Sequence, residues 1–359
     1  MENHDLRQII AQFGIEMNYA SYGEGHINDT YLAQLMPHQY ILQRINHHVF
    51  KDPKTLMENI VLVTEHIQRK VRARGGDPMH ETLTVVKTQD GKNFYKTEDG
   101  QYYRMYLFVD DTNTYQTVSD PLQFYNAARA FGRFQNDLAD FPVDKLFDTI
   151  PNFHNTKARF AHLLQAIEED KAGRKHTVEK EIAFALEREK DAAIVVEALA
   201  KGEIPLRVTH NDTKLNNVLF DKKTDEGICV VDLDTVMAGS LLYDFGDSVR
   251  FGASTAAEDE TDLSRVECSL ELFEAYTRGF LEELNSSITK RELELLAFSA
   301  KLLTYECGIR FLTDYLNGDT YFKIHYPNQN LDRCRTQFKL VHDMENKMAQ
   351  MRAIVEKYK

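Results

Sequence analysis

Residues 207–220 read Arg207-Val208-Thr209-His210-Asn211-Asp212-Thr213-Lys214-Leu215-Asn216-Asn217-Val218-Leu219-Phe220. His210 and Asp212 stand two apart, Asn217 follows five after Asp212, and the apolar run 218–220 begins a strand. A second apolar run, 228–231, ends in Asp232-Leu233-Asp234. Two strands joined by the turn 221–227 are expected to bring Asp212, Asn217 and Asp232 to one mouth. Such a set suits transfer of a phosphoryl group to a hydroxyl. One carboxylate takes the hydroxyl proton, while an amide oxygen and a second carboxylate hold the metal that bridges the phosphates. Turn chemistry alone accounts for Asn211-Asp212-Thr213, but not for Asn217 and Asp232 at these offsets. Asp234 is either a second metal ligand or a structural carboxylate.

Working outward, the N-terminal third alternates as strands do. Residues 1–18 read as an amphipathic helix with Leu6, Ile9, Ile10 and Phe13 on one face. Strands are expected over 30–35, 40–45, 83–88, 93–97 and 102–109, with a helix carrying Leu56, Ile60, Val63 and Ile67 between the second and third. Five strands and one inserted helix make a small antiparallel lobe, ending where Asp110-Asp111 turns the composition polar. From Pro121 the period becomes helical, with stripes Phe124, Ala128, Phe131, Phe134, Leu138 and Leu263, Val266, Leu270, Phe273, Tyr276, Phe280. The catalytic strands are expected within this helical part. The fold class is therefore α+β.

Composition narrows the function. Forty-three basic against 56 acidic residues leave a formal charge of −13, which argues against a broad nucleic-acid or anionic-membrane surface. With 43% apolar residues, including 21 Phe and 17 Tyr, the chain has ample material for a core. Cys229, Cys268, Cys307 and Cys334 form no Cys-x-x-Cys pair and fit reduced thiols. No apolar run nears the roughly 20 residues of a membrane helix. A cytoplasmic protein, a monomer or weak homodimer, is expected.

An acidic chain must receive phosphates through local features. The turn Tyr22-Gly23-Glu24-Gly25-His26-Ile27-Asn28 offers backbone amides at Gly23, Gly25 and Asn28 for a nucleotide. It lacks the Gly-Lys-Ser/Thr ending of a Walker loop. A kinase small lobe carries a lysine on its third strand; here Gln43 holds that place, and Arg44 is the candidate cation, facing away if the strand alternates. Glu58 and Glu65 are candidate helix partners. No hydrolase, zinc-protease or dehydrogenase motif is present.

The loop 210–217 with the strand end at Asp232 resembles the aminoglycoside phosphotransferase and choline kinase superfamily, whose fold is protein-kinase-like. The stretches 22–28, 209–217, 244–254 and 306–311 are similar to a narrower group, the N-acetylhexosamine 1-kinases, with the same order and spacing along nearly the whole chain. The resemblance implies a two-lobe fold: a small antiparallel-sheet nucleotide lobe over 1–110, a hinge at 111–120, and a large, mainly helical lobe over 121–359. It also implies ATP- and Mg²⁺-dependent phosphorylation of N-acetylglucosamine or N-acetylgalactosamine at the anomeric hydroxyl. Asp212 would be the base and touch the sugar, and Asn217 with Asp232 would be the metal ligands. His26, Phe251, Arg310 and Tyr321 would be sugar contacts. Gln43 in the lysine's place agrees with the narrower group. Two other readings stay open: a kinase of this fold acting on choline, an aminoglycoside or another sugar, and a non-catalytic nucleotide- or sugar-binding protein.

Overall fold

Strand periodicity early in the chain becomes a meander. The computed structural model describes residues 6–15, 18–22, 28–35, 38–284 and 287–359. Among them, β1 (Asn18–Ser21), β2 (Asp29–Leu35), β3 (His38–Ile45), β4 (Val85–Val86), β5 (Tyr95–Lys96) and β6 (Tyr102–Leu107) form one antiparallel sheet. Its order is β1-β2-β3-β6-β4, with β5 also on β6. Register places Thr30 opposite Gln43 and Gln43 opposite Arg104, so these three share a face. The other face, with Ala33, Leu42, Tyr103 and Met105, is covered by α1 (Leu6–Ala11) through Leu6, Ile9 and Ile10.

The expected helix over 1–18 is thus shorter and the expected five strands are six. Gly14, at φ 75°, takes a left-handed conformation that glycine adopts freely, and it stops the helix before β1 begins. The inserted helix is α2 (Pro53–Ala73), capped by Asp52. Its Asn59 is fully buried and clips the helix to two distant segments. It donates to the carbonyls of Phe147 (2.8 Å) and Val236 (3.0 Å) and accepts the Phe147 amide (3.0 Å).

The strands that frame Asn217 and Asp232 differ from expectation in their company. Contacts divide the chain into two units, and residues 217–238 and 140–151 group with 1–114 rather than with the helices. The reason is strand pairing. A short β7 (Thr112–Asn113) pairs with β8 (Val218–Asp221), which pairs with β9 (Gly227–Val230).

The second unit is helical. Among its described residues, α3 (Pro121–Asp137) buries Phe124, Ala128, Phe131 and Phe134, as its stripe requires. α4 (Thr156–Glu169), α5 (Leu241–Gly252), α6 (Leu270–Leu284), α7 (Lys290–Asn317) and α8 (Gln329–Tyr358) follow. The stripe starting at Leu263 becomes helical only at Leu270, because Asp262 caps a separate short turn over Leu263–Arg265. α7 begins with a capping box formed by Thr289 and Glu292. Its Tyr305, Ile309 and Leu312 join Phe160 and Leu163 of α4 and Phe338 of α8 in one core. No helix among the described residues is long and apolar enough to cross a membrane.

α3 and α6 approach closely because glycines face the contact. A Cβ on Gly132 would lie 2.7 Å from the Phe280 carbonyl oxygen, and one on Gly279 would press on that of Tyr125. Backbone cannot step aside as a side chain can. Gly279→Ala should therefore lower unfolding stability by about 1–3 kcal/mol, the usual cost of overpacking, although alanine gains about 1 kcal/mol in helix propensity. Denaturant unfolding checks this, and a more stable variant would contradict the close approach.

Candidate active site

In the helical unit, the loop after the strand Arg207–Thr209 is held by its backbone. The amides of His210 and Asn211 donate to the Asp244 carboxylate at 2.9 and 2.8 Å. Gln135 of α3 donates to the same carboxylate at 2.6 Å. The Thr213 hydroxyl donates to the Asp244 carbonyl (2.6 Å), Ser248 donates to the Thr213 carbonyl (2.7 Å), and Tyr276 donates to Ser248 (2.7 Å). His210 is fully buried, edge-on to Phe131 and Phe134, and its Nδ1 accepts the Asp212 amide at 3.3 Å. Asn211, at φ 66°, makes the left-handed turn. His210, Asn211 and Thr213 are buried, while Asp212 itself is half-buried, with side-chain exposure of 27%.

The Asp212 carboxylate lies 2.8 Å from Nζ of Lys214. Burial alone would pull that ammonium down, but the Asp212 charge outweighs it and holds it above its ordinary value. A second layer sits beneath. Asp247 accepts from Arg250 at 2.8 Å, and Arg250 also reaches Glu258 at 2.9 Å. Burial would raise the Asp247 carboxyl, yet Arg250, His154 and Lys214 keep it low.

Arg310 and Tyr321, expected as sugar contacts, line one cavity of about 330 Å³ with Arg159, Lys171, Asp314 and Phe322. The Arg310 guanidinium stands 5.8 and 5.4 Å from the ring centres of Phe153 and Phe322. Burial and the Arg310 charge lower the Arg159 pKa. Asp314 is spent on the amides of Thr320, Tyr321 and Phe322, which leaves the Tyr321 ring exposed. Phe251, partly buried on α5, and Asp212 are outside this lining.

In the sheet-bearing unit, the two expected metal ligands sit at one end of a hairpin. Val230 pairs with Val218, and the Val231 amide donates to the Asn217 carbonyl at 2.9 Å. Asn217 and Asp232 therefore flank neighbouring strand ends. Asp232 adopts φ 59° and is exposed. A carboxylate and an amide oxygen are hard donors, which is what Mg²⁺ takes, so the donor set fits that ion.

Asp234 sits in a buried network. Its carboxylate forms a buried pair with Arg104 and accepts from Asn28 at 2.6 Å, while its carbonyl accepts from Thr149 at 3.2 Å. Arg104 in turn donates from Nε to Gln43 at 3.0 Å. Burial would lower the Arg104 pKa, but Asp234 and Tyr106 drive it further up. A buried cation thus lies beside Gln43, on the next strand. Arg44 points to the other face, where it pairs with Asp29, and Glu58 faces Lys54 at 3.8 Å. Asn28 also accepts the Asn46 amide at 2.9 Å. Gly23, Gly25 and His26 lie outside the described residues. Sequence reading missed Arg104, although a charge inside the apolar strand Tyr102–Leu107 was its signal. It also missed Lys214, Asp244 as an anchor, and His154.

Comparison with known proteins adds the family. The profile of the phosphotransferase enzyme family matches residues 19–278. An aminoglycoside phosphotransferase from Alicyclobacillus acidocaldarius is 14% identical with a TM-score of 0.62, over 98% of this chain and 96% of that one. A microcompartment-associated aminopropanol kinase is 14% identical with a TM-score of 0.61, over 96% and 97%. A spectinomycin phosphotransferase solved with ADP and spectinomycin is 13% identical with a TM-score of 0.60, over 98% and 99%. At such identities the likeness carries the fold, a kinase-like one with a sheet-bearing part and a helical part. The profile match spans most of the sequence, and the chain belongs to the phosphotransferase enzyme family.

Proposed function

We propose that this phosphotransferase moves the γ-phosphoryl group of ATP, with Mg²⁺, onto the anomeric hydroxyl of N-acetylglucosamine or N-acetylgalactosamine. The observation that carries the reading is Asp212, a half-buried carboxylate on a loop whose backbone is pinned to Asp244. Asp212 accepts the hydroxyl proton as the acceptor oxygen bonds to phosphorus and the bond to ADP breaks. An anomeric hydroxyl is more acidic than an ordinary alcohol, so one aspartate is an adequate base. Lys214 places a positive charge next to that base, 2.8 Å from its carboxylate. Asn217 and Asp232 hold Mg²⁺, which when bound neutralises phosphate charge. Gly23 and Gly25 offer amides to the phosphates. Asn28, bonded to Asp234 and to the Asn46 amide, and Arg44, paired with Asp29, shape that nucleotide end.

The cavity favours a neutral acceptor over a cationic one. Arg159, Lys171 and Arg310 line it against the carboxylates Glu169 and Asp314, so a quaternary ammonium or an aminoglycoside would meet more cations than anions there. A sugar brings hydroxyl and acetamide oxygens to the guanidinium and an apolar ring face to the exposed Tyr321. His26 and Phe251 complete the sugar contacts in this reading.

Asp212→Asn should fold normally and lose about 10²–10⁴ in turnover, the range for a lost general base. Steady-state ADP release measures it, and turnover within a few-fold of the parent would remove Asp212 from that role. Asp232→Ala should abolish turnover at any sugar concentration, with partial recovery at high Mg²⁺. A defect cured by sugar alone would make Asp232 an acceptor contact. The 1-O-methyl glycoside of N-acetylglucosamine should be inert while the 6-deoxy sugar reacts. Phosphorylation of the methyl glycoside would place transfer at another hydroxyl.

A further inference from the structure

His154 is buried, yet both of its ring nitrogens are engaged. Nδ1 lies 2.8 Å from Oε1 of Glu306, and Nε2 lies 3.1 Å from the carbonyl oxygen of Asn211. Glu306 is fully buried on α7 and takes the Thr156 hydroxyl at 2.5 Å on its other oxygen. The Asn211 carbonyl belongs to the residue in the left-handed turn, directly before Asp212. Asp244 secures the amide side of this turn, and His154 reaches its carbonyl side. We propose that His154, oriented by Glu306, is a positioning residue that fixes the Asn211 peptide and so aims the Asp212 carboxylate. This rests on the reading of Asp212 as the base.

Both partners of the ring are acceptors, so it serves both only when each nitrogen carries a proton. The surroundings agree. Burial alone would push the His154 pKa down, but the Glu306 charge outweighs it, with Asp247 adding to the effect. Glu306 is held low in return: burial would raise it, and His154 and then Arg310 outweigh that. Tyr243 of α5 lies tilted against the ring at 5.3 Å and Phe153 packs edge-on at 4.7 Å, which leaves the ring little freedom to turn. A packing role alone would need neither the charge nor the carbonyl contact. The peptide plane that His154 holds includes the Cα of Asp212, so its rotation swings the carboxylate directly. Catalytic geometry is sensitive at this scale, where a misplacement of about 1 Å costs about 10²-fold.

The test is a double-mutant cycle on the full chain, read as kcat and KM for N-acetylglucosamine and ATP. His154→Gln and Glu306→Gln should each lower kcat about 10- to 100-fold with KM changed less than about 3-fold. In an Asp212→Asn background either change should cost less than about 3-fold more, because a base that is gone cannot be misaimed. A loss that persists in full in that background, or appears only in KM, overturns the proposal, as does a parental kcat in either variant. If His154→Gln does not fold, the Glu306→Gln cycle decides by the same criteria. Should Asp212→Asn keep near-parental turnover, the base assignment fails instead.

Discussion

The carboxylate of Asp244 is the fixed point on which the loop around Asp212 depends. That loop forms no ladder of its own, so its buried amides need partners supplied from elsewhere. Asp244 takes two of them, and its own carbonyl takes the Thr213 hydroxyl. Hydrogen bonds to a charged acceptor contribute about 1.5–3 kcal/mol each, and two on neighbouring amides also fix the direction of the chain. The anchor is itself immobile. Asp244 stands in the first turn of α5, where the helix dipole favours an anion, and nearly every residue of that helix is buried. Burial pushes the Asp244 carboxyl up from its ordinary value, while His210, the two amides and Gln135 draw it back.

The sheet-bearing unit uses the same device with a different pair. Arg104 and Asp234 are both buried, and apolar residues of like volume are often as stable as a buried ion pair. Stability is therefore a weak account of why the pair is there. Its consequence is orientation: Asp234 fixes Asn28 at the start of β2 and the turn that follows Asp232, and Arg104 fixes Gln43. In each unit an exposed or half-exposed acid, Asp212 or Asp232, stands next to a network that is buried and satisfied. A side chain held among neighbours that cannot move keeps a defined geometry.

What the sequence made legible was local. Asp212, Asn217 and Asp232 are close in the chain, and the two apolar runs that became β8 and β9 framed them. The helical stripe of α3 and most strands of the meander followed from period alone. What it hid was pairing at long range. Arg104 and Asp234 are 130 positions apart, and His154 and Glu306 are 152 apart. The buried cation beside Gln43, Arg104, sits on a neighbouring strand, which only register reveals. The grouping of 217–238 with the sheet was hidden for the same reason, since two residues of β7 are too few to announce a strand.

The central claim is that phosphorus becomes bonded to the oxygen on the anomeric carbon. Phosphorus–proton correlation of the product made from ATP, Mg²⁺ and N-acetylglucosamine tests this most directly. The account predicts a single phosphomonoester whose phosphorus couples to the anomeric proton. Coupling to the protons on carbon 6, or no phosphorylated amino sugar when an amino alcohol offered beside it is phosphorylated, would contradict it.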